Sequence, residues 1–462
     1  MNTKLLKQKI LDLAIRGKLT QQLKSDGTAA DLLKEIADAK SALSQPKGKK
    51  SKNPEQIIPL DKSEAPFEIP ANWEWVRLGD IAYIASGSTP SKDCFVESGV
   101  PYLKMYNLRN QQIDFEYKPQ YIKREIHEGK LARSKAKPGD VIMNIVGPPL
   151  GKVALVPESL PECNFNQAAV LIRAHFCTNL MNQYIRYFLL QMDEINAINT
   201  KGTAGQENIS LTQTQNMRFP LPPLAEQQRI VEKIQEAFTE IDSIENNKEL
   251  LKTHIKQARQ KILDLAIHGK LVPQNKTDEP ASVLLERITR DNPHYEKLTD
   301  VPFEIPASWE WVKYAELVTN ISVKNFQVKS SEIQPIGTFP VVSQGQSNID
   351  GFVDDPKKVV HLRFPIVLFG DHTKIVKYID FDFVVGADGT KVLEAKSAIN
   401  PKYLYFMTLN IVEKIEDRGY GRHFALLSNS LCPLPPLAEQ KRIMDRIEEI
   451  FASLDEISLH LV

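Results

Sequence analysis

Three blocks of this chain occur twice, and that duplication constrains the fold more than any other feature. KQKILDLAIRGKL (Lys7–Leu19) returns 252 residues later as RQKILDLAIHGKL (Arg259–Leu271). PFEIPANWEWVRL (Pro66–Leu78) returns 236 residues later as PFEIPASWEWVKY (Pro302–Tyr314). PLPPLAEQQRIVEKI (Pro220–Ile234) returns 213 residues later as PLPPLAEQKRIMDRI (Pro433–Ile447). The offsets differ, so the spacers vary while the blocks stay constant, and the blocks act as a frame. The two long spacers, Leu78–Pro220 and Tyr314–Pro433, differ by 23 residues (236 less 213) and share little alignable sequence. A duplicated frame with two unlike inserts fits two reading heads of different specificity better than an old duplication left to drift.

A long helix follows the third block. From Ile230 an apolar seam runs through Ile234, Ala237, Ile241, Ile244, Lys248, Leu251, Ile255, Ala258, Ile262 and Leu265 in steps of four and three. That is the 3.5-residue period of a coiled coil. Pro222 and Pro223 suit the helix start, and Gly269 suits a C-terminal cap. A helix over Leu224–Gly269 would span about 69 Å at 1.5 Å per residue. Its second copy is split. The front half, Ile443, Ile447, Ile450, Leu454, Ile457 and Leu461, ends the sequence. The back half lies at the other end, where Leu6, Ile10 and Leu13 match Ala258, Ile262 and Leu265, and only Leu250–Lys252 lack a counterpart. The expectation is a circularly permuted tandem repeat. Its termini lie close together, and the split helix pairs antiparallel with the intact one about a pseudo-two-fold axis. An apolar seam this long is rarely left unpaired in water.

The fold class expected is α+β: two mixed α/β domains joined by a long antiparallel helical coiled-coil pair. The division is residues 1–45 (N-terminal helical region), 60–222 (first insert domain), 223–298 (central long helix), 299–435 (second insert domain) and 436–462 (C-terminal helix). Ser41–Asn53, with Pro, Gly and four lysines, reads as an exposed linker, its lysines solvated and not specific contacts. In the first insert VIMNIVG (Val141–Gly147) and KVALV (Lys152–Val156) read as strands and Asn179–Glu194 as a helix. In the second, FPIVLFG (Phe364–Gly370), KIVKYIDF (Lys374–Phe381) and FVVGADG (Phe383–Gly389) read as strands, and Lys402–Lys414 as a helix.

Lys118–Lys137 carries seven basic and two acidic residues, with Tyr117 and Tyr121 beside it. Basic, aromatic and amide side chains together suit a DNA backbone and groove edge. The candidates in the first insert are Lys104, Tyr106, Asn107 and Arg109 from KMYNLRN, Lys123, Arg124, Arg133 and Lys135 from the basic run, and Asn166 and Gln167 from NFNQ. In the second they are Gln344, Gln346 and Asn348 from SQGQSN, His372 and Lys374 from GDHTK, and Arg418, Arg422 and His423 from RGYGRHF. For each one, a solvated charge or a turn-capping amide is the competing explanation.

Catalytic signatures are weak. NPHY (Asn292–Tyr295) lacks the second proline of an amino-methyltransferase motif and lies in a polar linker. GPPLGKV (Gly147–Val153) is one residue short of a phosphate loop and has no Ser or Thr after its lysine. Asp382 with Glu394 and Lys396 faintly resembles a nuclease cluster, without an equivalent in the first insert. The four cysteines form no CxxC pair, which argues against a zinc site or disulfide framework and fits a reducing, cytoplasmic setting. No apolar run approaches the ~18 residues of a membrane span, and the N-terminus reads as an amphipathic helix and not a signal peptide. The net charge is +0, so DNA binding would rest on local patches. No catalytic residue, metal site or bound cofactor is expected; catalysis should lie in a partner.

PLPPLAEQ before a long helix, ILDLA-I-x-GKL at a helix end and FEIP-x-x-W-x-W-V before each insert resemble the specificity subunit of type I restriction–modification systems. Each motif occurs twice, and their order accounts for nearly the whole chain. The resemblance implies that each insert is a target recognition domain reading half of a bipartite site in double-stranded DNA. The helices would then be a spacer and docking surface for two methyltransferase (modification) subunits. It implies adenine methylation with S-adenosylmethionine, and DNA cleavage once ATP- and Mg-dependent restriction/translocase subunits join, those cofactors sitting on the partners. A rod of about 69 Å spans about two DNA turns of ~34–36 Å. The family's functional residues lie in variable inserts, so the candidate contacts rest on chemistry alone. The alternatives are a stand-alone coiled-coil DNA binder or a scaffold with two protein-binding heads, neither with a methyltransferase partner.

Overall fold

The computed structural model describes residues 2–43, 56–147, 150–191, 208–290, 292, 295, 298, 300–386, 389–397, 399–419 and 421–461. Most of the lysine-rich linker after Leu43, the end of the helix expected up to Glu194, and the centres of NPHY and GPPLGKV lie outside the described residues. The chain divides into two compact units, Met1–Asn246 and Asn247–Val462.

In the first unit α1 (Thr3–Ile15) and α2 (Ala29–Leu43) precede the ribbon strand β1 (Glu74–Arg77). A four-stranded antiparallel sheet follows, built from β2 (Ala82–Ser86), β3 (Val141–Asn144), β4 (Val153–Leu155) and β5 (Ala169–Ala174) in the order β2-β5-β3-β4. Every side chain of β3 is buried, Val141–Met143 as an apolar run requires and Asn144 through its bonds to Lys152 N and Val146 O. One face of the sheet is covered by α3 (Thr178–Leu190), which buries Met181, Tyr184, Ile185 and Phe188. The return strand β6 (Arg218–Leu221) pairs with β1, setting Trp75 opposite Pro220. A second small sheet is formed by 164–165, 100–103, 121–122 and 95–96, its first two strands parallel. Then α4 (Leu224–Ile267) begins and carries the chain past the unit boundary.

The second unit repeats this order. After α4 come α5 (Ala281–Thr289), β7 (Glu310–Lys313), β8 (Val318–Ile321), β9 (Ile366–Gly370), β10 (Val376–Ile379) and β11 (Thr390–Ala395). The main sheet runs β8-β11-β9-β10, the same topology as β2-β5-β3-β4. Its cover is α6 (Pro401–Lys414), the return strand is β12 (Leu431–Leu434), and α7 (Leu437–Leu459) closes the unit. A small sheet again contains a parallel pair, here at its centre and not at its edge, with Val341 and Val342 against Val384 and Val385. The strands and helices legible in both inserts are present, and inserts without alignable sequence share one sheet topology.

The repeated blocks meet in a knot within each unit. Glu226 of the first LAEQ is fully buried, and its carboxylate accepts hydrogen bonds from Trp73 Nε1 (2.7 Å), Gln22 Nε2 (2.5 Å) and Thr20 Oγ1 (3.1 Å). Glu439 repeats this with Trp309 Nε1 (2.9 Å) and Gln274 Nε2 (2.6 Å). Burial pushes the Glu439 carboxyl up against the pull of those donors. The next residue caps the helix start: Gln227 donates to the Pro222 carbonyl at 2.9 Å, and Gln440 to Pro435 at 3.0 Å. Gly17 and Gly269 both sit at φ +64, where a Cβ would meet Pro70 Cγ at 2.3 Å or Pro306 Cγ at 2.4 Å, so only glycine fits both conformation and space. Phe67 meets Trp75 edge-on at 4.9 Å, as Phe303 meets Trp311 at 4.8 Å. Arg229 pairs with Asp26 at 2.6 Å, and Arg442 with Asp278 at 2.7 Å. These pairs reproduce the offsets of 252, 236 and 213 in contacts. Each unit thus holds a helix end, a head and a helix start.

The helix seam behaves less uniformly than its period predicts. In the first unit α1 runs antiparallel to the start of α4, with Lys7 on Asp242 at 2.5 Å and Thr3 bonded to Glu245. In the second unit Arg259 pairs with Asp455 and its guanidinium lies 4.5 Å from the Phe451 ring. Near the helix end, however, the buried residues are Leu263, Ala266 and Ile267, while the seam positions Ile262 and Leu265 are half-buried. Likewise α1 buries Leu11, Ala14 and Ile15. There the helix enters a globular core that surrounds more than one face. Ile244 and Leu251, seam positions midway along α4, are exposed.

Trp73→Phe should lower the stability of the first unit by about 1.5–3 kcal/mol, the worth of a hydrogen bond to a charged group. Trp75→Phe should lose less, since the buried Trp75 Nε1 has no hydrogen-bond partner among the described residues. Urea denaturation of the two variants compares them; equal losses would contradict the carboxylate's role.

Candidate nucleic-acid interface

In the first unit the three candidate segments come together around the small sheet. Tyr106 Oη donates to the Lys118 carbonyl at 3.2 Å and meets Tyr117 edge-on at 6.0 Å. The Arg109 guanidinium lies 4.2 Å from the Tyr117 ring centre, with Asp114 3.8 Å away. This makes an exposed, cationic, aromatic loop. Asn110, Gln111 and Lys118 have φ of 49, 58 and 55, so the loop turns sharply. It is pinned to the main sheet where Val153 N donates to Gln111 Oε1 at 2.8 Å. NFNQ joins the same edge: Asn166 N donates to the Leu103 carbonyl at 3.1 Å, and exposed Gln167 bonds Thr89. Lys104 Nζ lies 5.8 Å from the Phe95 ring.

Not every candidate is available to a ligand. Asn107 is 1% exposed; its amide donates to the carbonyls of Asp114 and Tyr117 and accepts from Lys104 N. It holds the loop from inside. In the basic run, Arg124 is paired with Glu162 and Lys135 with Glu128, while Lys123 and Arg133 are exposed with no carboxylate bridge among the described residues. Buried His127 bonds Asn164 and lies 3.2 Å from Glu162. His127, Glu128 and Glu162 are close enough for a metal, but Arg124 and Lys135 already neutralise both carboxylates, which leaves a poor cation site.

The second unit also gathers its three segments. His372 N donates to Gln344 Oε1 at 3.2 Å, and Thr373 Oγ1 to the Gln344 carbonyl at 2.7 Å. Lys374 faces Asp417 at 3.7 Å beside the Arg418–Glu416 pair at 3.3 Å. His423 is 1% exposed, its Nδ1 2.9 Å from the Asp371 carbonyl and its Nε2 accepting from Arg418 N at 3.0 Å. Like Asn107, it shapes the loop from within. Gln346, Asn348 and Arg422 are exposed with no bonded partner among the described residues; Tyr420 lies outside them.

The two edges correspond. Asn166 N bonds Leu103 O where Gly386 N bonds Val342 O, and Ile145 N bonds Ala168 O where Asp371 N bonds Gly389 O. The loops leaving these positions follow the same strands in both heads and carry different candidate side chains. Among the described residues the enzyme-like motifs do not assemble. The described residues of GPPLGKV lie beside the ends of β3 and β4, where Lys152 N donates to Asn144 Oδ1 at 2.5 Å. Asp382 is bonded to His361 at 2.6 Å and to Leu362 N at 2.9 Å, while Lys396 pairs with Glu316.

The frame knot recurs twice, around heads that share a topology and differ in their loops. The family described as Type I restriction modification DNA specificity domain matches residues 70–253 and 306–459. The chain belongs to this family. It is 27% identical over 392 residues to the Type I restriction enzyme EcoEI specificity subunit of Escherichia coli, covering 69% of this chain and 62% of that protein. It is 29% identical over 267 residues to the EcoAI specificity subunit of the same organism, covering 56% of this chain and 43% of that protein. The chain thus spans less than two thirds of either relative. A putative MjaX specificity subunit of Methanocaldococcus jannaschii is 22% identical, covering 83% of this chain and 88% of that protein. The fold resembles a chain solved under the description "Structural basis underlying complex assembly and conformational transition of the type I R-M system", at TM-score 0.57 and 20% identity over 86% of this chain and 94% of that one. It also resembles the HsdS subunit from Thermoanaerobacter tengcongensis, at TM-score 0.50 and 20% identity over 85% of this chain and 93% of that one. Among the described residues no helix is long and apolar enough to cross a membrane.

The sequence reading missed Gln111, Thr89 and Lys377. Lys377 did carry a signal: in the alternating strand VKYI it shares the inward face with Ile379. Asn107→Ala should loosen residues 104–120 by about 1–3 kcal/mol by stranding backbone groups. Arg109→Ala should cost about 0.5–1 kcal/mol, the worth of an exposed cation–π contact. Amide hydrogen exchange across the loop separates the two, and equal protection in both variants would count against a structural Asn107.

Proposed function

We propose that this chain is the DNA-specificity subunit of a type I restriction–modification complex, with residues 60–222 and 299–435 as target recognition domains. Each reads one half of a bipartite, non-palindromic site in double-stranded DNA. The observation that carries this reading is the pairing of one repeated frame with two topologically equivalent loop edges of unlike chemistry. A symmetric frame holds two readers alike; different side chains at matched positions read different words. The long helices, closed into a coiled-coil pair by α1 and α7, set the distance between half-sites and dock two methyltransferase subunits. The relatives are named as specificity subunits of restriction enzymes, which fits a chain that directs chemistry performed by others. S-adenosylmethionine would sit on the methyltransferase subunits, and ATP with Mg on restriction/translocase subunits. A net charge of +0 suits a subunit that borrows much of its DNA affinity from those partners.

The test is the methylated-adenine map of a methylation-free host expressing this chain with its neighbouring methyltransferase gene. The expected result is a two-part motif with a fixed gap, lost when this chain is omitted. Exchanging residues 60–222 for another member's insert should rewrite one half only. A soluble complex that methylates no bipartite motif would overturn the proposal in favour of a scaffold.

A further inference from the structure

Lys377 is 6% exposed on the edge strand β10, facing the core with Ile379. A buried ammonium is disfavoured by several kcal/mol unless bonded, and an apolar residue of similar length would pack there without that penalty. Its Nζ donates to the carbonyls of Ser343 (2.8 Å) and Ser347 (2.5 Å). Those carbonyls bracket the turn that carries Gln346 and lead into Asn348. Apart from Lys377, the loop is held at its ends: Asp350 N bonds Val341 O at 2.8 Å, and Thr373 holds Gln344. Burial pulls the Lys377 ammonium down, and the Asp350 carboxylate pulls the other way.

The first head supplies an independent comparison. Lys377 stands opposite Leu368, and Ala154 stands opposite Ile142 in the equivalent strand pair. Ala154 cannot anchor anything. Its neighbour Val153 does so instead, donating its backbone N–H to Gln111 Oε1 of the loop after residue 104. The same edge strand therefore tethers the same loop in both heads through unrelated chemistry. A tether kept in place while its chemistry changes points to the loop's position as the property that matters.

Building on the specificity reading above, we propose that Lys377 is a positioning residue of the second recognition domain, holding the 343–350 loop so that the amides of Gln346 and Asn348 meet base edges. A side-chain amide can pair bidentately with adenine N6 and N7 in the major groove, and a loop that drifts by an ångström loses that geometry.

The full chain co-expressed with its methyltransferase is the material, and the adenine-methylation map is the readout. Gln346→Ala or Asn348→Ala, both surface changes, should lower discrimination at one or two base positions of a single half-site by roughly five- to 150-fold, the range for one bidentate contact. Lys377→Met should relax the same positions and leave the other half-site and the gap unchanged. Lys377→Arg, which keeps donors at that place, should restore discrimination in part. The double variant K377M/Q346A should be no worse than K377M alone. The proposal is overturned if Gln346→Ala and Asn348→Ala leave every position unchanged, whatever Lys377→Met does. It is also overturned if Lys377→Met weakens both half-sites equally, the mark of a merely structural lysine. Absence of any bipartite motif from the wild-type complex would instead overturn the specificity reading itself.

Discussion

A carboxylate buried at the start of a long helix, bonded to the indole of a tryptophan more than a hundred residues away, is the interaction on which each unit depends. Glu226 and Glu439 enter the core as part of LAEQ, and Trp73 and Trp309 arrive from the strand that opens each head. Each carboxylate also takes a glutamine from the turn after a helix end, Gln22 or Gln274. One group thus joins the helix start, the helix end and the head. Few substitutions satisfy all three at once, because an unpaired buried carboxylate is far more unfavourable than a lost surface contact.

The heads are built on a separate logic. Their central strands are closed almost wholly by apolar side chains, Val141–Asn144 and Ile366–Gly370 being buried throughout, with the Asn144 amide bonded to backbone. Small residue changes there need only conserve volume and alternation. The loops that carry the candidate contacts answer to different constraints. In the first head Asn107 fills the loop from within and an edge-strand N–H ties it down; in the second Lys377 ties the 343–350 loop while His423 braces the separate Arg418 segment against Asp371. A frame locked by buried polar contacts, carrying heads closed by interchangeable apolar packing, allows the loops to vary without disturbing the knot.

Much of the fold was legible. The helix beginning at Leu224 starts where the paired prolines place it and ends at Ile267, just before Gly269. The strands in both inserts lie within their apolar runs. The candidate segments converge in each head, since amides, aromatics and basic groups in glycine-rich or turn-rich stretches mark the loop edge of a sheet. Side-chain burial was not legible. Asn107 and Gln346 look equally polar in the sequence, yet one is enclosed by its own loop and the other is exposed. The four-three seam runs through both helix ends in the sequence, yet packing there turns the buried face toward Leu263 and Leu11.

By itself the sequence determined the duplicated frame, the two unlike inserts, the long helix and the family, because periodicity, proline and glycine placement and repeated blocks are local or countable properties. Only the tertiary structure decided why the blocks recur, since Glu226, Trp73 and Gln22 are joined by a bond across sequence distances that no pattern reveals. It also decided which polar residues face outward, and that unalignable inserts share one sheet topology. Hydrogen-bond geometry and burial depend on where distant segments meet. That meeting is fixed by packing, which many different apolar sequences can satisfy.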